Sequence, residues 1–193
     1  MPRWITDLSY KIENKAVEAQ LIYKLASRYY HDVIERESVL ANITEKDHIL
    51  CIGGGICPFS AILFHQMTGA KVTVIDNNEK CIPKARQIIN RLGIKESVKV
   101  YHHDGKSEHI MFADYSVVHL ALQVTPIEQV FYAIERQVVS GTRLLIRRPK
   151  KLLNKLYCAF ANGLLSHCAY TSHKSCNIGS TALYIKKATQ VSA

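Results

Sequence analysis

Apolar residues follow two alternating patterns along most of the chain. Short runs rich in β-branched residues, typical of buried strands, are followed by stretches whose apolar residues recur at helical spacing. Four such strand–helix alternations predict a parallel sheet with helices on both faces. Two final β-prone runs are separated only by a polar loop with Gly179, which favours an antiparallel hairpin. The predicted strands cover His48–Ile52, 70–78, 97–105, 113–124, 141–149, 167–173 and 180–187.

The intervening stretches predict helices. A long helix or helix pair is expected near the N-terminus, and the helix after the first strand has proline in its first turn, where a missing N–H is tolerated. Gly93 is suited to close the next helix. The predicted helices cover 16–40, 58–67, 79–93, 125–139 and 150–165.

Together these elements predict the α/β class with one compact domain. We expect a doubly wound, Rossmann-like, seven-stranded and mostly parallel sheet with a C-terminal antiparallel hairpin. Residues 1–44 form an N-terminal helical cap in this interpretation, and residues 45–193 form the ligand-binding domain. Ligands of such sheets bind at the carboxyl ends of the strands, where the winding reverses.

Composition restricts the class of protein. The 193 residues suffice for one core, and no apolar run is long enough to cross a bilayer. The N-terminus lacks the apolar segment of a signal peptide. Six scattered cysteines do not resemble a disulfide framework, so we expect a reducing, cytoplasmic setting without a membrane contact.

Charge is distributed unevenly. The net charge is +9, yet no acidic residue follows Glu135, whereas ten basic residues do. The excess is densest in "RLLIRRPKKLLNK". It predicts either a solvated face or a surface that meets an anionic substrate, a nucleic acid or an acidic partner.

Three glycines follow the first predicted strand, in "ILCIGGGICPFSAILF". Glycine permits positive φ and close backbone approach to a ligand, and the next helix offers unpaired N–H groups. Asp76 ends the second strand, 21 residues after Gly55, where a carboxylate can accept hydrogen bonds from both ribose hydroxyls. Asp104, in "HHDG", ends the third strand on the side expected for adenine, although a surface turn would also explain it. The order of these features favours a nucleoside-like cofactor over a bare turn.

The stretch from about His48 to Pro149 resembles the class I S-adenosylmethionine-dependent methyltransferase core. "ILCIGGG" is similar to its first motif, "VTVIDNN" to its acidic second motif, "HHDG" to its adenine-side motif and "GTRLLIRR" to its fifth strand. The final hairpin matches that family's antiparallel sixth and seventh strands, so that the resemblance covers roughly residues 40–187. It implies S-adenosyl-L-methionine as the cofactor and an S-adenosylmethionine-dependent transferase as the function.

A narrower resemblance concerns the transferred group. "CIGGGICPFSAILF" and "LALQVTPIEQVFYAIERQVVSGTRLLIRR" are similar to nicotianamine synthase and its microbial relatives, which transfer the aminocarboxypropyl arm of the same cofactor. Those synthases have a longer N-terminal helical domain, whereas only about 45 residues precede the first strand here. We therefore expect a methyltransferase acting on a small molecule, with aminocarboxypropyl transfer, or RNA modification or binding through the basic C-terminal third, as alternatives.

Candidate site residues follow from the predicted strand ends and from the resemblance. Tyr30 is the candidate to cover the cofactor, Gln123 to face the sulfonium, and Arg147 to hold a carboxylate of cofactor or acceptor, with a solvated edge charge as the alternative. Glu35 is a weaker candidate base, and His119 is expected to be a packed, hydrogen-bonded histidine rather than a catalyst. The candidate cofactor-binding residues are Gly53, Gly54, Gly55, Ile56, Asp76, Asn77, Asp104, Gly105, Leu120 and Leu122.

Metal binding and partners are less defined. His167, Cys168, His173 and Cys176 lie within ten residues but lack paired C-x-x-C spacing, so we expect no metal site. The expected partner is a small-molecule acceptor; nucleic acid is not favoured, and a homodimer is left open.

Overall fold

The computed structural model describes residues 20–107, 110–154, 157, 165 and 167–188, with side chains from Arg28 onward. Seven strands form one sheet in the order β3-β2-β1-β4-β5-β7-β6. The first five strands run parallel, and β7 pairs antiparallel with both β5 and β6. The predicted fold class is therefore confirmed. The strands are β1 (His48–Ile52), β2 (Lys71–Asp76), β3 (Val98–His102), β4 (Val117–Leu120), β5 (Arg143–Pro149), β6 (Ala169–Ser172) and β7 (Ile178–Ile185).

Four α-helices lie within the described residues. Pro58 is the N-cap residue of the second helix, and Gly69, at φ 74°, closes it. Gly93 follows the third helix at φ 71°, which is the left-handed conformation that its residue type predicts. The helices are α1 (Gln20–Leu40), α2 (Phe59–Thr68), α3 (Ile82–Arg91) and α4 (Ile127–Glu135). None of these described helices is long and apolar enough to cross a membrane.

Two predicted elements differ from the structure. Strand β4 is shorter than the predicted 113–124, because Phe112–Asp114 forms a 3-10 turn and the backbone turns again after Leu120, where Val124 N donates to Ala121 O. Of the helix predicted over 150–165, Lys151–Leu153 forms a 3-10 turn. Most of its remainder lies outside the described residues.

Alternating side chains of the sheet build a core on each face. Val117 and Leu145 pack with α1, α2 and α3, whereas Val118, Leu144 and Ile146 pack with α4. This alternation places residues of odd number on β4 and β5 under α1. Polar side chains at odd-numbered positions of β4 and β5 therefore face α1 inside the protein.

A polar clasp fixes the end of α1 to the sheet. Asp47 accepts hydrogen bonds from Thr44 N at 2.8 Å and Ser116 Oγ at 2.6 Å, and it pairs with Arg143. Arg143 also donates to the carbonyl oxygens of Ala41 and Asn42 just after α1. Burial opposes the charge of Asp47, but these donors outweigh it and lower the pKa of its carboxyl group. The clasp fixes the C-terminal end of α1 at the amino ends of the strands.

Candidate functional site

A cavity of about 720 Å³ opens at the carboxyl ends of the parallel strands. Its position is the point where the winding reverses between β1 and β4, as ligand sites in open α/β sheets require. Its size lies within the range of small-molecule and cofactor sites. Of the predicted site residues, the cavity is lined by Tyr30, Gly53, Gly54, Gly55, Asp76, Asn77, Asp104, Gly105, Leu122, Gln123 and Arg147.

The glycine loop forms one wall of this cavity. Gly53 and Gly55 have φ of 85° and 63°, a conformation that side-chain-bearing residues rarely adopt. Gly54 is required for a different reason, because a Cβ atom there would lie 2.2 Å from Val74 Cγ1 on β2. The loop therefore presents bare backbone to the cavity while resting on β2.

Replacing Gly54 by Ala is expected to destabilise the fold by about 1–3 kcal/mol, since Val74 has a stiff branched side chain and must shift. Val74→Ala removes the clashing methyl group and leaves the nearest remaining contacts of the new Cβ at 3.6 Å or more. In a double-mutant cycle by chemical denaturation, we expect the two substitutions to be coupled favourably by about 1 kcal/mol or more. Additive costs would contradict this explanation of the glycine.

Asp76 joins the glycine loop to the end of β2. Its Oδ2 accepts from Gly55 N and its Oδ1 from Asn78 N, both at 2.8 Å. Each carboxylate oxygen has a second lone pair, and the side chain lines the cavity. The same carboxylate can thus fix the loop and accept hydrogen bonds from a diol in the cavity.

The neighbouring strand ends complete this side of the cavity. Asp104 accepts from Lys106 N at 2.9 Å, which shapes the turn after β3. Gly105 lies against β1, where a Cβ atom would approach Ile52 Cγ2 to 2.9 Å. Asn77 follows Asp76, and its carbonyl oxygen lies 3.2 Å from His102 Nε2. Together with Asp76, these residues form what we call the acidic end of the cavity.

Tyr30 and Gln123 lie on the opposite side. The ring of Tyr30 stacks on Phe59 at an interplanar angle of 14° and a centroid distance of 5.8 Å. Beside it, Tyr29 Oη donates to Asn177 Oδ1 at 2.5 Å, which joins α1 to the turn between β6 and β7. All five side chains line the cavity. We call this side, between α1, the end of β4 and the β6–β7 turn, the open end.

Arg147 lines the cavity but is held by an acid from another element. Its side chain is 3% exposed and its fork is bound to Glu37. Nε and Nη2 donate to the two carboxylate oxygens at 2.8 Å each, and Nη1 donates to Ser60 Oγ at 2.9 Å. It is therefore no solvated edge charge. Its fork is also occupied within the protein, which leaves the predicted contact with a ligand carboxylate untested.

The partner of Arg147 is a buried carboxylate that the sequence interpretation missed. Burial alone would raise the pKa of Glu37, but the charge and hydrogen bonds of Arg147, aided by the Thr181 hydroxyl, hold it at about 2. The same pairing raises the pKa of Arg147 against the effect of its own burial. Both groups are therefore ionised at neutral pH. Their charges cancel, so this part of the cavity floor carries no net charge.

His119 lies beside this pair as a neutral side chain. Burial and the charge of Arg147 lower its pKa to about 3, so its 3.7 Å approach to Glu37 is not an ion pair at pH 7. Its ring packs edge-on against Phe64. No hydrogen-bond partner of its ring nitrogens lies among the described residues. The structure agrees with the expected packing of His119, whereas the expected hydrogen bond is absent among the described residues.

Two candidate residues do not line the cavity. The side chains of Ile56 and Leu120 are fully buried. Leu120 packs in the core on the α4 face of the sheet. Their predicted role in cofactor binding has no support from side-chain position.

Several residues of the site lay outside the sequence interpretation, among them Glu37, which pairs with Arg147 but does not itself line the cavity. Glu37 could have been found, because it lies on the apolar face of α1 with Val33 and Ile34, whereas Glu35 is exposed. Asn177 had no local signal, because the hairpin turn reaches the cavity only through sheet pairing. The further lining residues are Tyr29, Cys51, Ile52, Cys57, Pro58, Phe59, Ser60, Ala61, Asn78, Cys81, His103, His119, Ala121, Val124, Thr125, Val130, Asn177 and Ile178.

The sheet order, the antiparallel last strands and the glycine loop tied to the acid of β2 define the class I S-adenosylmethionine-dependent methyltransferase superfamily. Within it, residues 21–153 match the family model described as protein-L-isoaspartate(D-aspartate) O-methyltransferase, PCMT. The chain belongs to this family. It is an S-adenosylmethionine-dependent transferase whose cofactor is S-adenosyl-L-methionine. A search of the curated proteins found no match.

Solved structures share the fold over almost the whole chain. A glutamate-to-glutamine variant of MtNAS, a nicotianamine synthase, in complex with S-adenosylmethionine has a TM-score of 0.79 and 20% identity, covering 96% of this chain and 76% of that one. MtNAS with MTA and tNA has a TM-score of 0.79 and 21% identity, covering 97% and 74%. An RNA methyltransferase from Salinibacter ruber with S-adenosyl-L-homocysteine has a TM-score of 0.64 and 17% identity, covering 81% and 91%. At these identities the likeness shows the fold.

Proposed function

We propose that the protein transfers the methyl group of S-adenosylmethionine to a small-molecule acceptor that enters at the open end. The observation that carries this proposal is the pairing of a bare glycine backbone with a loop-fixing carboxylate in one cavity, in a chain of a methyltransferase family. When bound, the cofactor supplies an electrophilic carbon attached to a sulfonium.

The described residues fit this cofactor. In the proposed arrangement, Asp76 accepts hydrogen bonds from the ribose hydroxyls while it continues to hold Gly55 N and Asn78 N. Asp104 and Gly105 border the adenine, and the backbone of Gly53 and Gly54 approaches the sulfonium side closely. In this arrangement the cofactor approaches the backbone where the glycines have no side chain to block it.

The residues of the open end would orient the acceptor. The stacked ring of Tyr30 covers the cavity beside Gln123, so the nucleophile is held and water is excluded. Arg147 lies with its Cζ 5.6 Å from the centroid of the Tyr30 ring. This cation–π contact fixes the ring from the protein side. Tyr30 and Gln123 are therefore the proposed groups nearest the reacting atoms.

Aminocarboxypropyl transfer is the second candidate. It is supported by the likeness to MtNAS over 96–97% of this chain, which includes α1 and the C-terminal hairpin. In that reaction the nucleophile attacks the carbon that joins the aminocarboxypropyl arm to sulfur. In both reactions, the electrons of the broken carbon–sulfur bond remain on sulfur.

The leaving product distinguishes the two candidates. We would incubate the protein with S-adenosylmethionine and the small-molecule fraction of a cell extract, and measure products by mass spectrometry. Accumulation of S-adenosylhomocysteine supports methyl transfer, whereas methylthioadenosine supports the alternative. Calorimetry with each product gives a second readout: stronger binding of S-adenosylhomocysteine is expected, and preferential binding of methylthioadenosine would overturn the first proposal.

A further inference from the structure

The structure divides the basic residues of the last third into paired and unpaired groups. Arg143 is bound by Asp47, Arg147 by Glu37, and Lys186 by Glu135. Each of these three cations therefore has its charge balanced by an acid from the first 135 residues. The basic residues whose charge is not balanced by an acid are concentrated elsewhere in the sheet.

Three lysines at one end of the sheet have no ion pair among the described residues. Lys150 and Lys151 directly follow β5, and Lys174 lies in the turn between β6 and β7. The turn is attached to the end of β5, since Lys150 N donates to Asn177 O at 3.0 Å. Asn177 lines the cavity at its open end, so the two segments that carry these lysines, the end of β5 and the β6–β7 turn, border that end.

An aromatic side chain with a cation over its ring lies on the neighbouring edge strand. Tyr170, on the edge strand β6, is 40% exposed. Arg148 on β5 reaches across β7, so that its Cζ lies 5.7 Å from the centroid of the Tyr170 ring. Small residues of β7 lie between them, because Arg148 is in register with Ser180 and Tyr170 with Ala182. We name Arg148, Lys150, Lys151, Tyr170 and Lys174 together the basic edge.

We propose that the basic edge is a docking surface for single-stranded nucleic acid. The basic side chains of this edge and its exposed aromatic ring provide the two contacts that such strands use, namely phosphate neutralisation and base stacking. No Asp or Glu occurs in the sequence after Glu135 to oppose phosphates there. A single strand is favoured over a duplex because a ring face stacks only on a base that is already unstacked.

The distribution of charge around the cavity also favours binding of a polyanion at the basic edge. Asp76 and Asp104 line the acidic end, whereas the segments that carry the unpaired lysines border the open end. A polyanion is therefore repelled from the cofactor side and attracted to the β5–β7 side. Docking concerns the rim and not the transfer step, so it can succeed or fail independently of the proposed reaction.

The test is fluorescence anisotropy with a fluorescein-labelled single strand of roughly 20 nucleotides, without cofactor, at salt concentrations between about 50 and 200 mM. The test variant carries Lys150→Ala, Lys151→Ala and Lys174→Ala. We expect it to bind about tenfold or more weakly at low salt, and the salt slope to fall by about 2, near 0.7 for each lost phosphate contact. The matched control carries Lys46→Ala, Lys71→Ala and Lys95→Ala, which remove the same charge from exposed positions at the other end of the sheet.

Substitutions of Tyr170 test the stacking contact separately. Tyr170→Ala is expected to weaken binding by about fivefold or more while leaving the salt slope unchanged. Tyr170→Phe keeps the ring and loses the hydroxyl that donates to Leu165 O, and is expected to bind like the wild type. Thermal melts establish that each variant is folded.

Any one of four results would overturn the proposal. They include an absence of binding by the wild type at low salt, a loss of affinity in the control variant equal to that in the test variant, and stronger binding of the matching duplex than of the single strand. Equal competition by polyglutamate would also overturn it, since that result shows a response to negative charge alone.

Discussion

Glu37→Gln is expected to destabilise the protein by about 3–5 kcal/mol, because it leaves the buried Arg147 cation without a compensating charge. The side chains of Arg147 and Glu37 are 3% and 0% exposed, so bulk water has little access to the place of the lost carboxylate. Chemical denaturation of the wild type and the variant at pH 7 measures the effect. Glu35→Gln is the matched control on the same helix, since Glu35 is exposed, and we expect it to change stability by less than about 0.5 kcal/mol.

The pH dependence of the same variant gives an independent readout. The pKa of Glu37 is about 2 in the folded protein, below its usual value of 4.5. Its contribution is therefore complete above about pH 4.5 and is lost as the pH falls toward 2. The stability difference between wild type and Glu37→Gln should shrink over that range. A difference that stays constant down to pH 2 would show that the loss at pH 7 is not electrostatic.

A double substitution distinguishes the effect of an unpaired charge on stability from the effect of altered side-chain packing. Glu37→Met combined with Arg147→Met removes both charges, and we expect it to be more stable than Glu37→Met alone. Failure of the second substitution to restore stability would indicate that the hydrogen bonds to Ser60 and Thr181, rather than charge balance, hold this region.

Asp76→Ala is expected to weaken binding of S-adenosylhomocysteine by roughly 10- to 100-fold, equivalent to about 1.4–2.8 kcal/mol. The substitution removes the acceptor for Gly55 N and Asn78 N together with the proposed ribose contact. Asp76→Asn keeps one acceptor oxygen and should fall between wild type and Asp76→Ala. Isothermal titration calorimetry measures all three proteins.

Glu79→Ala controls for general charge loss near the site. Glu79 is exposed, lies three residues from Asp76 and does not line the cavity, so we expect unchanged affinity. Wild-type affinity in Asp76→Ala would refute the proposed placement of the cofactor. An equal loss of affinity in Glu79→Ala would attribute the effect to the overall electrostatic potential of the protein rather than to hydrogen bonds.

The glycine loop shows which site features are local in sequence. Gly53, Gly54, Gly55 and Asp76 lie at strand ends that hydrophobic patterning identifies, and parallel pairing brings consecutive strand ends together. Their convergence on one cavity could therefore be predicted. The reason that position 54 requires glycine could not be predicted, because the clash of a side chain there with Val74 depends on how closely the loop crosses β2.

Arg147 shows the opposite case. Its type and its place on a strand end permitted a ligand contact or a solvated charge. The structure excludes the solvated charge, because Arg147 pairs with Glu37, which lies 110 positions away in the chain. The pairing depends on the orientation of α1 over the sheet, which the clasp of Asp47 and Arg143 helps to set. No local pattern encodes that orientation.

The amino-acid sequence by itself determined the alternation of strands and helices, the glycine loop, the acid that ends β2 and the one-sided charge of the last third, because each depends on residues close together in the chain. Only the tertiary structure decided which charges are cancelled and which remain on the surface. Pairing requires atoms within a few ångströms, and folding brings Glu37 to Arg147 and Asp47 to Arg143 while it leaves Lys150, Lys151 and Lys174 without an acid among the described residues.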